Sequence, residues 1–427
     1  MHLTATIPKR MDAQSVRASL TDKYATDKFA MEYAGYLSNH LLHGAVALFE
    51  LGASAEQVED FAAHYAQEKL LAVAPDHDDP FDVVAVDASD SVGTGAAAVP
   101  TPERLAQLLG KREDFDALLA FYGREVQLLG ADGAVQKHLP QLVAGLCGAL
   151  LHGLIQLGYA YHIGGDRLIA EGLAYFHFSY LSFEDDRNEA AAAVATSSQR
   201  AFSREEVLPA IHALKNHELV LSEVQSQLAT NQAVAALPIG LFQKKLNALS
   251  AHPERGSRAA FDAISTALAG FDLSGLHGAV ALDFALWLYA MIAHNDFVIA
   301  HAVTSAWSLQ QLEHLLDERQ RVRAWRVWLH VAVTAFILQD VRDLSDDDVC
   351  GRAPVELPTL QSWDEIVGRA LALQGHPDEH VYKVVQVALD HAGGDRAKTS
   401  SFLSADEREF VARSAAAKVV ALDFERI

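Results

Sequence analysis

The chain has 427 residues, half of them hydrophobic and 21% charged, a balance that builds a buried core and argues against wholesale disorder. With 34 basic and 56 acidic residues the formal charge is -22, which repels a phosphate backbone, so no nucleic-acid partner is expected. Two cysteines, Cys147 and Cys350, are too few for a secreted disulfide scaffold, and the N-terminus has no signal-peptide pattern, so the expected location is cytoplasmic.

Taken in chain order, the segments are helical. "YLSNHLLHGAVALFELG" carries His40 and His43 in an apolar run that stops at Gly52. Ser54 with Gln57 forms a capping-box pattern for the next helix. From about 72 to 100 the chain is rich in Asp, Gly and Pro and reads as an acidic surface loop, with "DVVAVDAS", Asp82 to Ser89, as its one extended piece. "GTGAAA", Gly93 to Ala98, matches a dinucleotide-binding fingerprint in letters only, because Val99 and Pro100 interrupt the helix it should open. Thr101 and Pro102 then start a helix, Gly110 and Gly130 read as stops, and "LCGALLHGLIQLGYAY" places His152 in a second apolar helical run.

"FEDDRNEA" sets Asp185, Asp186 and Glu189 in a DDxxE spacing, which in an all-α chain raises a magnesium-dependent terpene-type enzyme as a rival reading; a second acidic cluster runs from Asp340 to Asp348. Each is more simply a solvated helix terminus. Ser203 with Glu206 signals another helix start, and "SAHPERGS", Ser250 to Ser257, is the weakest point in an otherwise continuous helical series. "GAVALDFALWLYAMIA", Gly278 to Ala293, is too short to span a bilayer, which takes about 20 apolar residues, and contains Asp283, so no membrane insertion is expected.

"NDFVIAHAVTSAWSL" carries His301, with His294 two turns away on nearly the same face. "DEHVYKVVQVAL" sets His380 and Lys383 one turn apart among apolar residues; Lys383 either snorkels, pairs with Asp378, Glu379 or Asp390, or has a special task. Ser404 with Glu407 and the stop at Gly393 complete the pattern. The expected fold is all-α, a single large multi-helix domain over residues 1–427. One buried histidine is ordinarily a satisfied core residue, but several on facing helices make a metal site buried between helices. Spacing alone does not choose between His40 and His43, or between His294 and His301.

Taken together, "NHLLHGAVALFELGAS", "LLHGLIQLGYAY" with "IAEGLAYFHFSY", "FVIAHAVTSAWSL" and "DEHVYK" resemble the questin oxidase-like family from about Tyr33 to about Leu389. Its members include fungal enzymes that oxidatively open anthraquinone rings. The resemblance implies an all-α oxygenase without haem or a flavin fold, with one non-haem Fe(II) and O2 as co-substrate. It implies His40, His152, His301 and His380 as metal ligands, with Lys383 as a CO2-derived carbamate. "NHLLHG" departs from the expected motif, so His43 competes with His40. Asn39, Tyr159, Glu171, Tyr175 and Thr304 are candidates for supporting or substrate contacts, and Trp287, Trp307, Tyr161 and Phe176 for the walls of a slot.

The carbamate has a physical rationale: burial depresses a lysine's pKa, the neutral amine adds CO2, and metal binding offsets the cost of burying the resulting anion. The implied substrate is a small aromatic polyketide such as a hydroxyanthraquinone or anthrone, opened after Baeyer-Villiger-like oxygenation or oxidative ring cleavage, with electrons from the substrate or an external reductant. A non-catalytic helical scaffold is the remaining rival.

Overall fold

The computed structural model describes residues 12–74, 79–83, 100–184, 200–237, 239–339, 361–375 and 377–424. Ser54 accepts the Gln57 amide proton while the Gln57 side chain returns to the Ser54 amide, and the helix Ala55–Lys69 begins there. Ser404 and Glu407 open Ala405–Ala421 in the same way. Two further boxes, Asp317 with Gln320 and Ser362 with Glu365, open Glu318–Leu338 and Trp363–Leu371 and were not read from the sequence. Ser203 precedes the helix Arg204–Lys215 but its side chain makes no capping bond, contrary to expectation. Gly130, at φ +72°, breaks the backbone inside Phe115–Leu142, and the chain resumes the helix beyond it.

Among the described residues the fold is all-α, and named strands are limited to two short pairings, Glu32–Tyr33 with Leu37–Ser38 and Arg200–Ala201 with Phe271–Asp272. Asp82 and Val83, expected in an extended piece, belong to a short helix, Pro80–Val83. Most of the acidic loop lies outside the described residues, as do Gly93 to Ala98, Asp185, Asp186, Glu189 and the Asp340 to Asp348 cluster. No helix of the described residues is long and apolar enough to cross a membrane.

One hydrophobic cluster reaches from Val16 to Val420. Within it four helices form a closed circuit: Leu41–Glu50 packs on His152–Ile163, that on Phe297–Leu312, that on His380–Gly393, and the last back on Leu41–Glu50. Helix Asp166–Phe178 backs His152–Ile163 from outside, and Ala405–Ala421 backs His380–Gly393. Glycine permits the closest of these crossings. A Cβ on Gly158 would lie 2.3 Å from the Cβ of Ser308, and one on Gly172 would lie 2.8 Å from the Cα of Leu157. Both distances are shorter than carbon atoms tolerate, so these two positions fix how near the helices stand.

Candidate metal centre

Each of the four helices brings one histidine to the inside of the circuit. His301 sits within Phe297–Leu312, a helix capped by Asp296, whose carboxylate accepts the Ile299 amide proton at 2.8 Å. His40 caps Leu41–Glu50; its backbone N–H donates to the Tyr65 hydroxyl oxygen at 3.1 Å, while Asn39 Oδ1 accepts the Leu41 amide proton at 3.0 Å. His380 opens His380–Gly393, its backbone N–H donating to Asp378 Oδ1 at 3.0 Å.

His152 arrives differently. The apolar run expected to be one helix breaks before it, and Ala149, Leu150 and Leu151 take left-handed φ values of 45°, 52° and 69°. An L-residue in that region costs roughly 1–2 kcal/mol, so tertiary contacts must hold the turn. Gln243 Oε1 accepts the Leu150 amide proton at 2.6 Å, and Gly148 lies against the Ser179 carbonyl, where any Cβ would sit 1.8 Å from its oxygen. The product of the strain is a carbonyl: Ala149 O faces His152 Nδ1 at 2.5 Å.

All four rings have an oxygen acceptor on Nδ1. His152 has Ala149 O; His301 has Phe297 O at 2.6 Å; His380 has Asp378 Oδ1 at 2.5 Å; His40 has Glu379 Oε1. A carbonyl or carboxylate oxygen requires a proton on the nitrogen it faces, so each neutral ring carries its hydrogen on Nδ1 and leaves Nε2 as a bare lone pair. Those lone pairs meet. His301 Nε2 lies 3.1 Å from His152 Nε2 and 3.2 Å from His380 Nε2, and one nitrogen from each of His40, His152, His301 and His380 lies within 4.8 Å of the others.

Burial first, and then Lys383 and the neighbouring imidazoles, push His40 and His152 well below the usual histidine range. His301 is pushed down by burial and then by His152 and His380. Three of the four rings, His40, His152 and His301, are therefore held neutral. Burial pushes the Asp378 carboxyl up, but the His380 imidazole and its hydrogen bonds outweigh this and hold it well below the usual range. Glu379 is shared between His40 and Lys69, whose ammonium donates to Oε2 at 3.1 Å. Three of the four histidines stand at helix starts, where the exposed N–H groups and macrodipole favour anionic ligands.

Lys383 neither snorkels nor pairs. It is completely buried, and its Nζ has no hydrogen-bond partner; Asp390, one of its possible partners, instead accepts from Trp307 Nε1 at 2.6 Å. Burial brings its pKa down from 10.5 to about 8, so the neutral amine is accessible. The four converging histidine nitrogens fit a metal ion: imidazole suits first-row metals, and the Nδ1 acceptors orient the rings as outer-shell partners do.

The remaining candidates spread out around this cluster. His43 lies outside the group of four, 5.5 Å from the His40 ring between centroids, fully buried and with both nitrogens unpartnered; Gln156 Oε1 is likewise buried and unpartnered. His294 lies near Asp296, away from the four. The Tyr159 ring lies tilted against His43 at 5.3 Å between centroids, and its hydroxyl donates to Gln386. Thr304 returns its hydroxyl to the carbonyls of Ala300 and His301. Glu171 is engaged by Thr26 and Arg167, and burial raises its pKa against the opposing pull of Arg167. With Asn39 and Gln156 it lines a 20 Å³ cavity, about the room one water needs.

Tyr175 bonds Ser38 and Glu32. Trp287, Trp307 and Phe176 are buried core residues and Tyr161 bonds Asp132, so these aromatics line neither of the two described cavities. Sequence reading missed the pairing of Asp378 and Glu379 with the imidazoles. The signal was present: two carboxylates immediately precede His380.

A family model described as Questin oxidase-like matches residues 37–388, most of the chain and all five residues of the histidine and lysine cluster. No curated protein matches the chain.

Proposed function

Because the chain belongs to the questin oxidase-like family, we propose that it is a non-haem iron oxygenase that opens a ring of a hydroxyanthraquinone- or anthrone-type polyketide. The observation that carries this reading is the meeting of one nitrogen from each of four histidines within 4.8 Å, every ring having an oxygen acceptor on Nδ1. His40, His152, His301 and His380 would hold the ion, and Lys383 would add an anionic oxygen. When bound, Fe(II) supplies the one-electron chemistry with O2 that no side chain provides.

The chain's own residues do the rest. The neutral Lys383 amine forms an N–C bond to CO2 and releases one proton, leaving a carbamate on a buried arm; its Nζ has no hydrogen-bond partner that would hold it as an ammonium. Ala149, Phe297, Asp378 and Glu379 hold the Nδ1 protons, so the rings keep one tautomer and one orientation. Asn39 fixes the start of the His40 helix, and Thr304 ties its hydroxyl to the turn that carries His301. Tyr159 and Glu171 act from the neighbouring wall, through Gln386 and through the one-water cavity. The depth of the cluster excludes bulk water from reactive oxygen species.

The test is metal analysis of protein purified without oxygen in bicarbonate buffer, followed by oxygen uptake and mass spectrometry with emodin-type anthraquinones under 18O2. Near-stoichiometric iron with label in a ring-opened product supports the reading. Iron-free protein, or an unlabelled product, overturns it.

A further inference from the structure

The main described cavity does not touch the histidine cluster. It measures 580 Å³, within the range of small-molecule sites, and lies behind the left-handed turn, with Ala149 as the shared wall. Its interior is apolar along Leu181, Leu237 and Ile239, with Phe178 and Tyr180 as ring surfaces. Its polar lining sets the donors Lys111, Arg112, His252 and Arg255 beside the carboxylates Glu113 and Glu254. Arg255 is half-buried, and no hydrogen bond or ion pair among the described residues holds its guanidinium; burial lowers its pKa despite Glu254 nearby.

His252 adds a second donor. Its Nδ1 accepts the amide protons of Glu254 and Arg255 at 3.2 and 3.3 Å, so the ring proton belongs to Nε2. Asn231 donates to the Glu254 carbonyl at 2.8 Å and Gly256 to the His252 carbonyl at 2.8 Å, so the loop that carries both donors is stitched in place. Arg112, at another wall, is already neutralised by Glu32. The carboxylates that line the cavity, Glu113 and Glu254, are exposed, and although Glu254 attracts the half-buried cation from nearby, neither forms an ion pair with it among the described residues.

We propose that this cavity is a second small-molecule site, which takes a flat aromatic carboxylate with its anionic end on Arg255 and His252 and its rings on the apolar wall. An Arg guanidinium matches a carboxylate bidentately, and a half-buried pair is screened less than a surface one. The site goes beyond the oxygenase reading and stands without it, since neither the histidines nor a metal contributes to it.

The experiment is fluorescence titration of the full-length protein with 2-naphthoate and with its neutral analogue 2-naphthamide, for wild type, Arg255→Ala and Arg255→Lys, each checked by thermal melting. Saturable naphthoate binding that weakens about tenfold or more in Arg255→Ala, partly returns in Arg255→Lys and exceeds naphthamide binding in wild type supports the site. No naphthoate binding, or equal binding of acid and amide by wild type, overturns it. Naphthoate binding unchanged in a folded Arg255→Ala does so as well. If Arg255→Ala does not fold, the acid-to-amide comparison and Arg255→Lys decide.

Discussion

The Nε2 atoms of His152 and His301 stand 3.1 Å apart with no hydrogen to share, because both rings spend their single proton on a backbone carbonyl behind them. A pair of lone pairs at that distance repels unless a cation lies between them. A metal held there would be a ligand of the folded state, and its removal by a chelator should lower the melting temperature by several degrees, since a ligand at a thousandfold its Kd adds about 4 kcal/mol. Re-addition of Fe(II) without oxygen should restore it. Identical melting with and without chelator would count against the centre.

Lys383 separates stability from metal binding. In metal-free protein Lys383→Met removes a buried nitrogen that has no partner and should raise stability by about 1–3 kcal/mol. The same variant should lose most of its iron and the bicarbonate dependence of loading. Denaturant melts and metal analysis read the two effects independently, and a variant with full iron occupancy would exclude the lysine as a ligand.

Glu379 would act on a bound metal through His40 Nδ1. Glu379→Gln should weaken metal affinity about 10- to 100-fold, the usual cost of losing an outer-shell carboxylate, while the helix His380–Gly393 stays folded. Competition with a chromogenic chelator measures the first and far-ultraviolet circular dichroism the second. Unchanged affinity would assign Glu379 to Lys69 alone.

Gly158 tests whether the spacing of the helices sets the site. A methyl group there meets Ser308 at 2.3 Å, so Gly158→Ala should cost about 1–3 kcal/mol by overpacking and push the His152 helix off the His301 helix. Iron content should fall together with stability. A variant that is destabilised yet fully loaded would show that the centre tolerates the shift.

Lys418 gives the protein a pH dependence away from the metal. Its ammonium donates to the carbonyls of Tyr289 and Ile292, closing the helix Gly278–Met291, and burial lowers its pKa from 10.5 to about 7 against the pull of Asp296. The folded chain thus releases this proton near pH 7 and the unfolded chain keeps it to about 10.5. Between these values the unfolded state binds more protons, so stability rises with pH. Relative to Lys418→Met, the unfolding free energy should climb by about 1 kcal/mol per pH unit above pH 7. A flat difference from pH 6 to 10 would mean that the lysine stays charged in the fold.

The helices were legible because their signals are local: Ser54 with Gln57, and Ser404 with Glu407, carry a cap within four residues. The position of His301 in mid-helix was equally readable. What decides the chemistry was not local. The proton on His40 is placed by Glu379, 339 residues away, and Arg255 looked like part of the weakest joint in the chain until His252 and Asn231 were seen to stitch it. The turn before His152 was hidden for a further reason. Ala-Leu-Leu is among the best helix-forming triplets, and tertiary contacts, Gly148 against Ser179 and Gln243 on the Leu150 amide, hold it in the other hand.

That conflict has a consequence for assembly. A segment whose own preference is a right-handed helix cannot take three left-handed residues until the walls that compel it, Ser179 after one helix and Gln243 on another, are already docked. The placement of His152 therefore depends on both of these walls being docked. A chain with either wall undocked would lack that fourth imidazole, so a metal that needs all four would be held only once the interior is packed.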